Sequence, residues 1–157
     1  MDVTVAIITC SDTRSLAEDT AGAALATLCG EHGWDVVQHV VVPDDFATVR
    51  DAIVSAADDK HARLVLTCGG TGLGPRDITP EATEAACTRM APAIAQAIRT
   101  LSLEVTHRAM LSRATSGTRG ETLVINLPGS QKGATESFGF VADQVEHALE
   151  MMGGGGH

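Results

Sequence analysis

Two stretches of this chain are apolar and β-branched almost without interruption, Val3 to Cys10 (VTVAIITC) and Ala62 to Cys68 (ARLVLTC). A strand with one wet face alternates apolar and polar residues. A run with no polar face needs cover on both sides, which is the situation of a strand inside a parallel sheet. Trp34 to Val42 (WDVVQHVVV) reads as a further strand. The segments between have helical spacing: Asp19 to His32 carries Ala23, Leu25, Ala26, Leu28 and Cys29 and stops at Gly30 and Gly33, and Phe46 to Asp59 follows the breaker Pro43-Asp44-Asp45. Thr79-Pro80-Glu81-Ala82 has the form of a helix start, with Thr79 as cap, for a helix reaching about Arg89; another spans Ala91 to Leu103. Leu111 to Ser116 and Glu121 to Leu127 read as two strands joined by the loop Gly117 to Gly120, a hairpin. Gln131 to Met152 is a last helix, with Val141, Val145, Ala148 and Leu149 on one face. Alternating strands and helices predict an α/β fold, a doubly wound and mostly parallel sheet with a C-terminal hairpin at a mixed edge. Residues 1–152 form one domain, and the glycine-rich tail 153–157 is expected to be disordered.

The composition narrows the function classes. With 157 residues, 44% of them hydrophobic, the chain can bury one core. No run of about 18 apolar residues exists to span a membrane, and no basic segment followed by an apolar run opens the chain as a secretory signal would. The expected location is the cytoplasm. Cys10, Cys29, Cys68 and Cys87 show no C-x-x-C spacing and read as buried thiols in a reducing compartment. A net charge of −9, no tyrosine and one tryptophan argue against nucleic acid, which needs cationic surface and stacking platforms.

The loops that follow the strands carry the chemistry. They are Ser11-Asp12-Thr13-Arg14, Pro43-Asp44-Asp45, Gly69-Gly70-Thr71-Gly72 through Arg76-Asp77, and Pro128-Gly129-Ser130. In open α/β sheets such loops meet at the carboxyl edge, where ligands bind. Glycines let backbone amides approach an anion, and Thr71 and Arg76 add donors. The loop is neither a G-x-x-x-x-G-K-[ST] phosphate loop nor a dinucleotide G-x-G-x-x-G fingerprint. Arg14, Arg76, Arg113, Arg119 and Lys132 are loop cations in an acidic protein, placed to receive an anion or simply solvated. Asp12, Asp44 and Asp77 can coordinate magnesium or orient a cation; for Asp44 and Asp45, capping of the following helix competes. The six histidines do not cluster, and no G-x-S-x-G elbow supports acyl transfer.

In this order along nearly the whole chain, Ser11-Asp12-Thr13-Arg14, Asp19-Thr20-Ala21-Gly22, Pro43-Asp44-Asp45, Gly69-Gly70-Thr71-Gly72 with Arg76-Asp77-Ile78-Thr79-Pro80-Glu81, Leu111-Ser112-Arg113 and Asn126-Leu127-Pro128-Gly129-Ser130 resemble the MoaB/MogA family of molybdenum cofactor biosynthesis, more its MoaB branch. The resemblance implies a three-layer α/β/α molybdopterin-binding fold. It implies an adenylyltransferase that joins AMP from Mg-ATP to the terminal phosphate of molybdopterin, releases pyrophosphate and prepares the pterin for molybdate insertion. The alternative is a protein of the same pathway that binds molybdopterin without that activity. Carried over by position, Asp44 and Asp77 are the catalytic and magnesium-binding aspartates. Ser11, Asp12, Arg14, Gly69, Gly70, Thr71, Gly72, Arg76, Ser112, Arg113, Pro128, Gly129, Ser130 and Lys132 hold substrate or phosphate. The resemblance further implies a homotrimer or hexamer and transient contact with a molybdate insertase. The chain departs from the family at Gln131, where relatives often carry proline.

Overall fold

The structure, a computed structural model, describes residues 2–155. Its strands are β1 (Thr4–Cys10), β2 (Asp35–Val42), β3 (Leu64–Cys68), β4 (Arg89–Met90), β5 (Ser116–Arg119) and β6 (Thr122–Leu127). Its α-helices are α1 (Thr20–Glu31), α2 (Phe46–Asp58), α3 (Thr79–Ala86), α4 (Pro92–Ser102) and α5 (Gln131–Met152). The strands form one sheet in the order β2-β1-β3-β6-β5-β4. β2, β1, β3 and β6 are parallel; β5 and β4 extend the sheet antiparallel to their neighbours.

The unbroken apolar runs have the predicted cause. Along β1, Val5 and Ile7 enter a core shared with α1, α4 and α5, while Ala6, Ile8 and Cys10 enter a second core shared with α2 and α3. β3 divides likewise, Leu64 and Leu66 to the first core and Val65 to the second. Both faces of the sheet are covered, which makes the three layers.

From β1 the chain moves outward to β2 through α1 on one face, then returns to β3 through α2 on the other. The loops leaving β1 and β3 therefore lead to opposite faces of the sheet, the kind of switch point beside which ligands bind in open α/β folds.

Three expectations are corrected. The helix expected to reach Arg89 ends at Ala86: Cys87 turns extended (φ −82°, ψ 144°), and Arg89 and Met90 pair with Thr118 and Gly117 as the sheet edge. The hairpin strand expected at Leu111 to Ser116 lies later. His107–Leu111 is a 3₁₀ turn, and Gly117, Thr118 and Arg119, expected to turn, are strand; the turn is at Gly120 (φ +56°) and Glu121. A side chain at Gly117 would meet the Arg89 carbonyl at 2.8 Å, so this strand needs a residue that mimics a turn signal. Finally, Thr79 is the first residue of α3 rather than its cap; Ile78 takes the cap position without a side-chain bond. At the other end, the amides of Gly153, Gly154 and Gly155 bond to carbonyls of the last turn of α5. The expectation of a disordered tail also covers residues 156–157, which lie outside the described residues.

At the start of α2 the two neighbouring aspartates part roles. Asp45 is the cap: its carboxylate accepts from the Thr48 amide at 3.0 Å and the Thr48 hydroxyl at 2.7 Å. Asp45→Ala should lower stability by about 1 kcal/mol in a chemical denaturation curve, with no change in the slope of the transition.

Candidate active site

All four predicted loops reach the carboxyl edge, and they bond to one another there. The Ser11 amide donates to the Val42 carbonyl at 2.9 Å, the Asp44 amide to Asp12 at 2.9 Å, and Arg14 to the Gly129 carbonyl at 3.0 Å. Gly69 (φ +92°) occupies the left-handed region, where a side chain would sit 2.7 Å from the Cys10 carbonyl; a side chain on Gly129 would sit 3.2 Å from the Gly69 Cα. The backbones leaving β1, β3 and β6 thus touch, and only glycine fits between them.

One side of the Gly69–Gly72 loop is acidic. Asp12 accepts two bonds from Arg76, at 3.0 and 3.1 Å, and these hold its carboxyl below the usual carboxylate range. Asp77 accepts from the Gly74 amide at 2.9 Å; a side chain on either Gly72 or Gly74 would come within 2.9 Å of the same oxygen. Asp44, freed of capping, differs from both. Its Oδ1 is buried with no hydrogen-bond partner, as is the Thr79 hydroxyl, and both flank Gly70 (φ +72°). Burial, then the charges of Asp12 and Asp77, push the Asp44 carboxyl above its ordinary value.

The other side of the loop is a cleft of about 720 Å³, lined by Thr71, Gly72, Ser112, Pro128, Ser130 and Lys132 among others. Ser130 caps α5, its hydroxyl accepting from the Gly133 amide at 3.0 Å. The Ser112 hydroxyl accepts from the Ala114 amide at 3.2 Å, and that of Ser11 from the Thr13 and Arg14 amides. Lys132 is exposed, 3.8 Å from Glu136.

Arg113 is placed differently from an anion receptor. Its guanidinium donates to the Gly72 carbonyl at 2.7 Å, the Asp77 carbonyl at 2.6 Å and Glu81 at 2.5 Å, and its amide to the Thr71 carbonyl at 2.7 Å. It clamps the glycine loop from behind. Arg119 is likewise spent, on Asp58 and the Ala86 carbonyl, remote from the rim.

Residues that the sequence did not single out also line the cleft, Arg99, Arg108 and Ser137, as does Asn126, which stands in a sequence motif but not among the predicted site residues. The spacing of Ser137 from Ser130, two helical turns, was the available signal. A second unforeseen group, Asp19, is fully buried and accepts from Thr9 at 2.6 Å; it pairs with His39 at 2.7 Å and caps α1 through the Gly22 amide at 3.0 Å, pinning the base of the Ser11–Arg14 loop. Among the described residues no cluster of three or more acidic, histidine or cysteine side chains forms a ready-made metal cage, and no helix is long and apolar enough to cross a membrane.

A carboxyl whose value rises on folding holds its proton more firmly in the folded chain than in the unfolded one. The folded state then loses stability as pH climbs through that range and carries the full penalty at neutral pH. Asp44→Asn removes the penalty. The variant should melt above the parent at neutral pH, with the difference closing below about pH 4, where Asp44 is protonated in both states.

Residues 6–147 match the family model described as "Probable molybdopterin binding domain". The chain is 36% identical over 155 residues to the molybdenum cofactor synthesis protein cinnamon of Drosophila melanogaster, covering 96% of this chain but only 26% of that longer protein. It is 31% identical over 152 residues to the molybdopterin adenylyltransferase of Helicobacter pylori, covering 94% and 86% of the two. Its fold matches the crystal structure of the molybdopterin biosynthesis enzyme MoaB of Thermus thermophilus with a TM-score of 0.88 and 37% identity, over 98% of each chain.

Proposed function

The chain belongs to the family of molybdopterin binding domains, and on that premise we propose that it is a molybdopterin adenylyltransferase, joining AMP from Mg-ATP to the terminal phosphate of molybdopterin and releasing pyrophosphate. The observation that carries this reading is the position of the Gly69–Gly72 loop as a wall shared by two different compartments: a cleft wide enough for a heterocycle on one side, and carboxylates on the other. A transfer between two phosphorylated molecules needs such a partition, with the reacting phosphates meeting at the wall.

The nucleophile is a phosphate monoester with a second pKa of about 6, already ionised at neutral pH, so no general base is required. The obstacle is the repulsion of two anions. In this reading the cleft takes the pterin, with Thr71, Gly72, Ser112 and Ser130 around its phosphate. Asp44 and Asp77 face the nucleotide.

Magnesium fits this donor set. Asp44 offers a buried carboxylate oxygen with nothing bonded to it, and Asp77 a second carboxylate. Magnesium commonly takes one or two carboxylates together with phosphates and waters rather than an all-protein cage. Bound there, it would supply neutralisation of phosphate charge. The residues do the rest: the Asp12–Arg76 pair and Arg113 fix the loop geometry, and Arg14, anchored on Gly129, ties the last loop to the first. The adenylylated product is handed, in the cytoplasm, from a trimer or hexamer of this chain to a molybdate-inserting partner.

Purified protein incubated with molybdopterin and Mg-ATP should form adenylylated pterin and pyrophosphate in equal amounts. Asp77→Asn should slow the reaction about 100-fold while leaving pterin binding in place. Pterin binding without any product would overturn the catalytic reading in favour of a binding protein.

A further inference from the structure

The cleft beside the glycine loop is floored by one face of α5, from which Ser130, Gly133, Glu136 and Ser137 line it at helical spacing. Ser137 is 1% exposed and lines the cleft, and its hydroxyl takes part in none of the side-chain hydrogen bonds of the described residues. A serine inside a helix can satisfy its hydroxyl on the carbonyl four residues back. Thr135, two positions earlier, does this, donating to the Gln131 carbonyl at 2.8 Å. Ser137 does not, which leaves its hydroxyl to whatever occupies the cleft.

Another fully buried polar group on the cleft is largely committed. Asn126 accepts from the Thr115 amide at 3.1 Å and donates to the hydroxyls of Thr67 and Thr83, each at 2.9 Å. The remaining floor is Ala95, Ile98 and Ala114, buried and apolar. On the wall, one nitrogen of Arg99 is held by the Ser112 and Ala114 carbonyls at 3.1 and 3.2 Å, which leaves its other N–H groups free to donate. The pocket therefore has small apolar walls, the hydroxyl of Ser137 on the α5 side and a fixed donor, Arg99, on the wall. Such a pocket suits a flat heterocycle entering edge first, with its anionic tail left at the Thr71–Gly72 end.

We propose that Ser137 is a specificity-determining residue for the pterin, its hydroxyl bonding the polar edge of the heterocycle at the floor of the cleft. This rests on the assignment of the cleft to the pterin and goes beyond it by naming the group that reads the ring. A ring lacking a partner at that edge would strand the hydroxyl, which is how a site built around one hydrogen bond rejects look-alikes.

The test compares wild type, Ser137→Ala and, as a control on the same helix, Thr135→Ala. Each is titrated with molybdopterin by fluorescence and with Mg-ATP by calorimetry, and each is melted. Ser137→Ala should bind molybdopterin about tenfold more weakly, with ATP affinity and melting temperature unchanged. Thr135→Ala should keep full pterin affinity. Equal pterin affinity in Ser137→Ala and wild type would overturn the assignment of Ser137 and leave the proposed function intact. Loss of ATP affinity alongside pterin affinity, or a lowered melting temperature, would make Ser137 structural and overturn it equally. A wild-type protein that binds ATP but no molybdopterin would overturn the proposed function, and this inference with it.

Discussion

The contact on which the rest depends is the near-collision of three backbones at the carboxyl edge. Gly69 sits where any side chain would strike the Cys10 carbonyl, and Gly129 lies against Gly69. Because β1, β3 and β6 are adjacent and parallel, their outgoing loops are forced into the same few ångströms. Glycine resolves the crowding, and the same residues then expose amides and leave room for a ligand. The Gly70 conformation follows, with the Asp44 and Thr79 oxygens packed around it. The site is a consequence of how closely the sheet brings these strand ends together.

The fold was legible where burial alone decides conformation. VTVAIITC and ARLVLTC can only be strands covered twice, and the structure sends their alternate residues into two cores. It was not legible where a tertiary contact overrides local preference. Ser116-Gly117-Thr118-Arg119 has the composition of a turn, but Gly117 is there because the Arg89 carbonyl passes close by, a contact between segments far apart in the chain. Thr79 matches a cap signature by position, yet its hydroxyl turns into the site rather than onto the helix. The convergence of the loops was predictable from topology; which side chains would remain uncommitted was not, because that depends on every neighbouring bond.

The arginines show this most clearly. Read along the sequence, loop cations in a protein of net charge −9 look like anion receptors. In the fold most serve the loops themselves: Arg113 on two loop carbonyls and Glu81, Arg76 on Asp12, Arg14 on Gly129. The planar guanidinium suits this work, because its donors are fixed in a fork that can join several acceptors at once. The cations thereby give the glycine loop a rigidity that glycine lacks. A loop of low intrinsic order is made into a preorganised wall from behind, and its ligand-facing surface stays backbone and hydroxyl.

That arrangement also decides what kind of catalysis the site can support. No thiol is available as a nucleophile: burial pushes Cys10 and Cys87 up to about 11, and Cys29 and Cys68 up to about 12. His39, beside the first loop, is engaged with Asp19 beneath it. What remains at the wall are carboxylates, one of them buried against its own charge, with amides and hydroxyls. Such groups neither give nor take a proton readily at neutral pH, but they can hold two anions and a cation in fixed relation. For a phosphate attacking a phosphate, where the nucleophile arrives ionised, fixed relation is the part the protein must supply. On the proposed reading the unfavourable burial of Asp44 has a reason: a carboxylate solvated by water would already be satisfied, whereas one left without a partner would gain most from a cation brought in with a phosphorylated substrate.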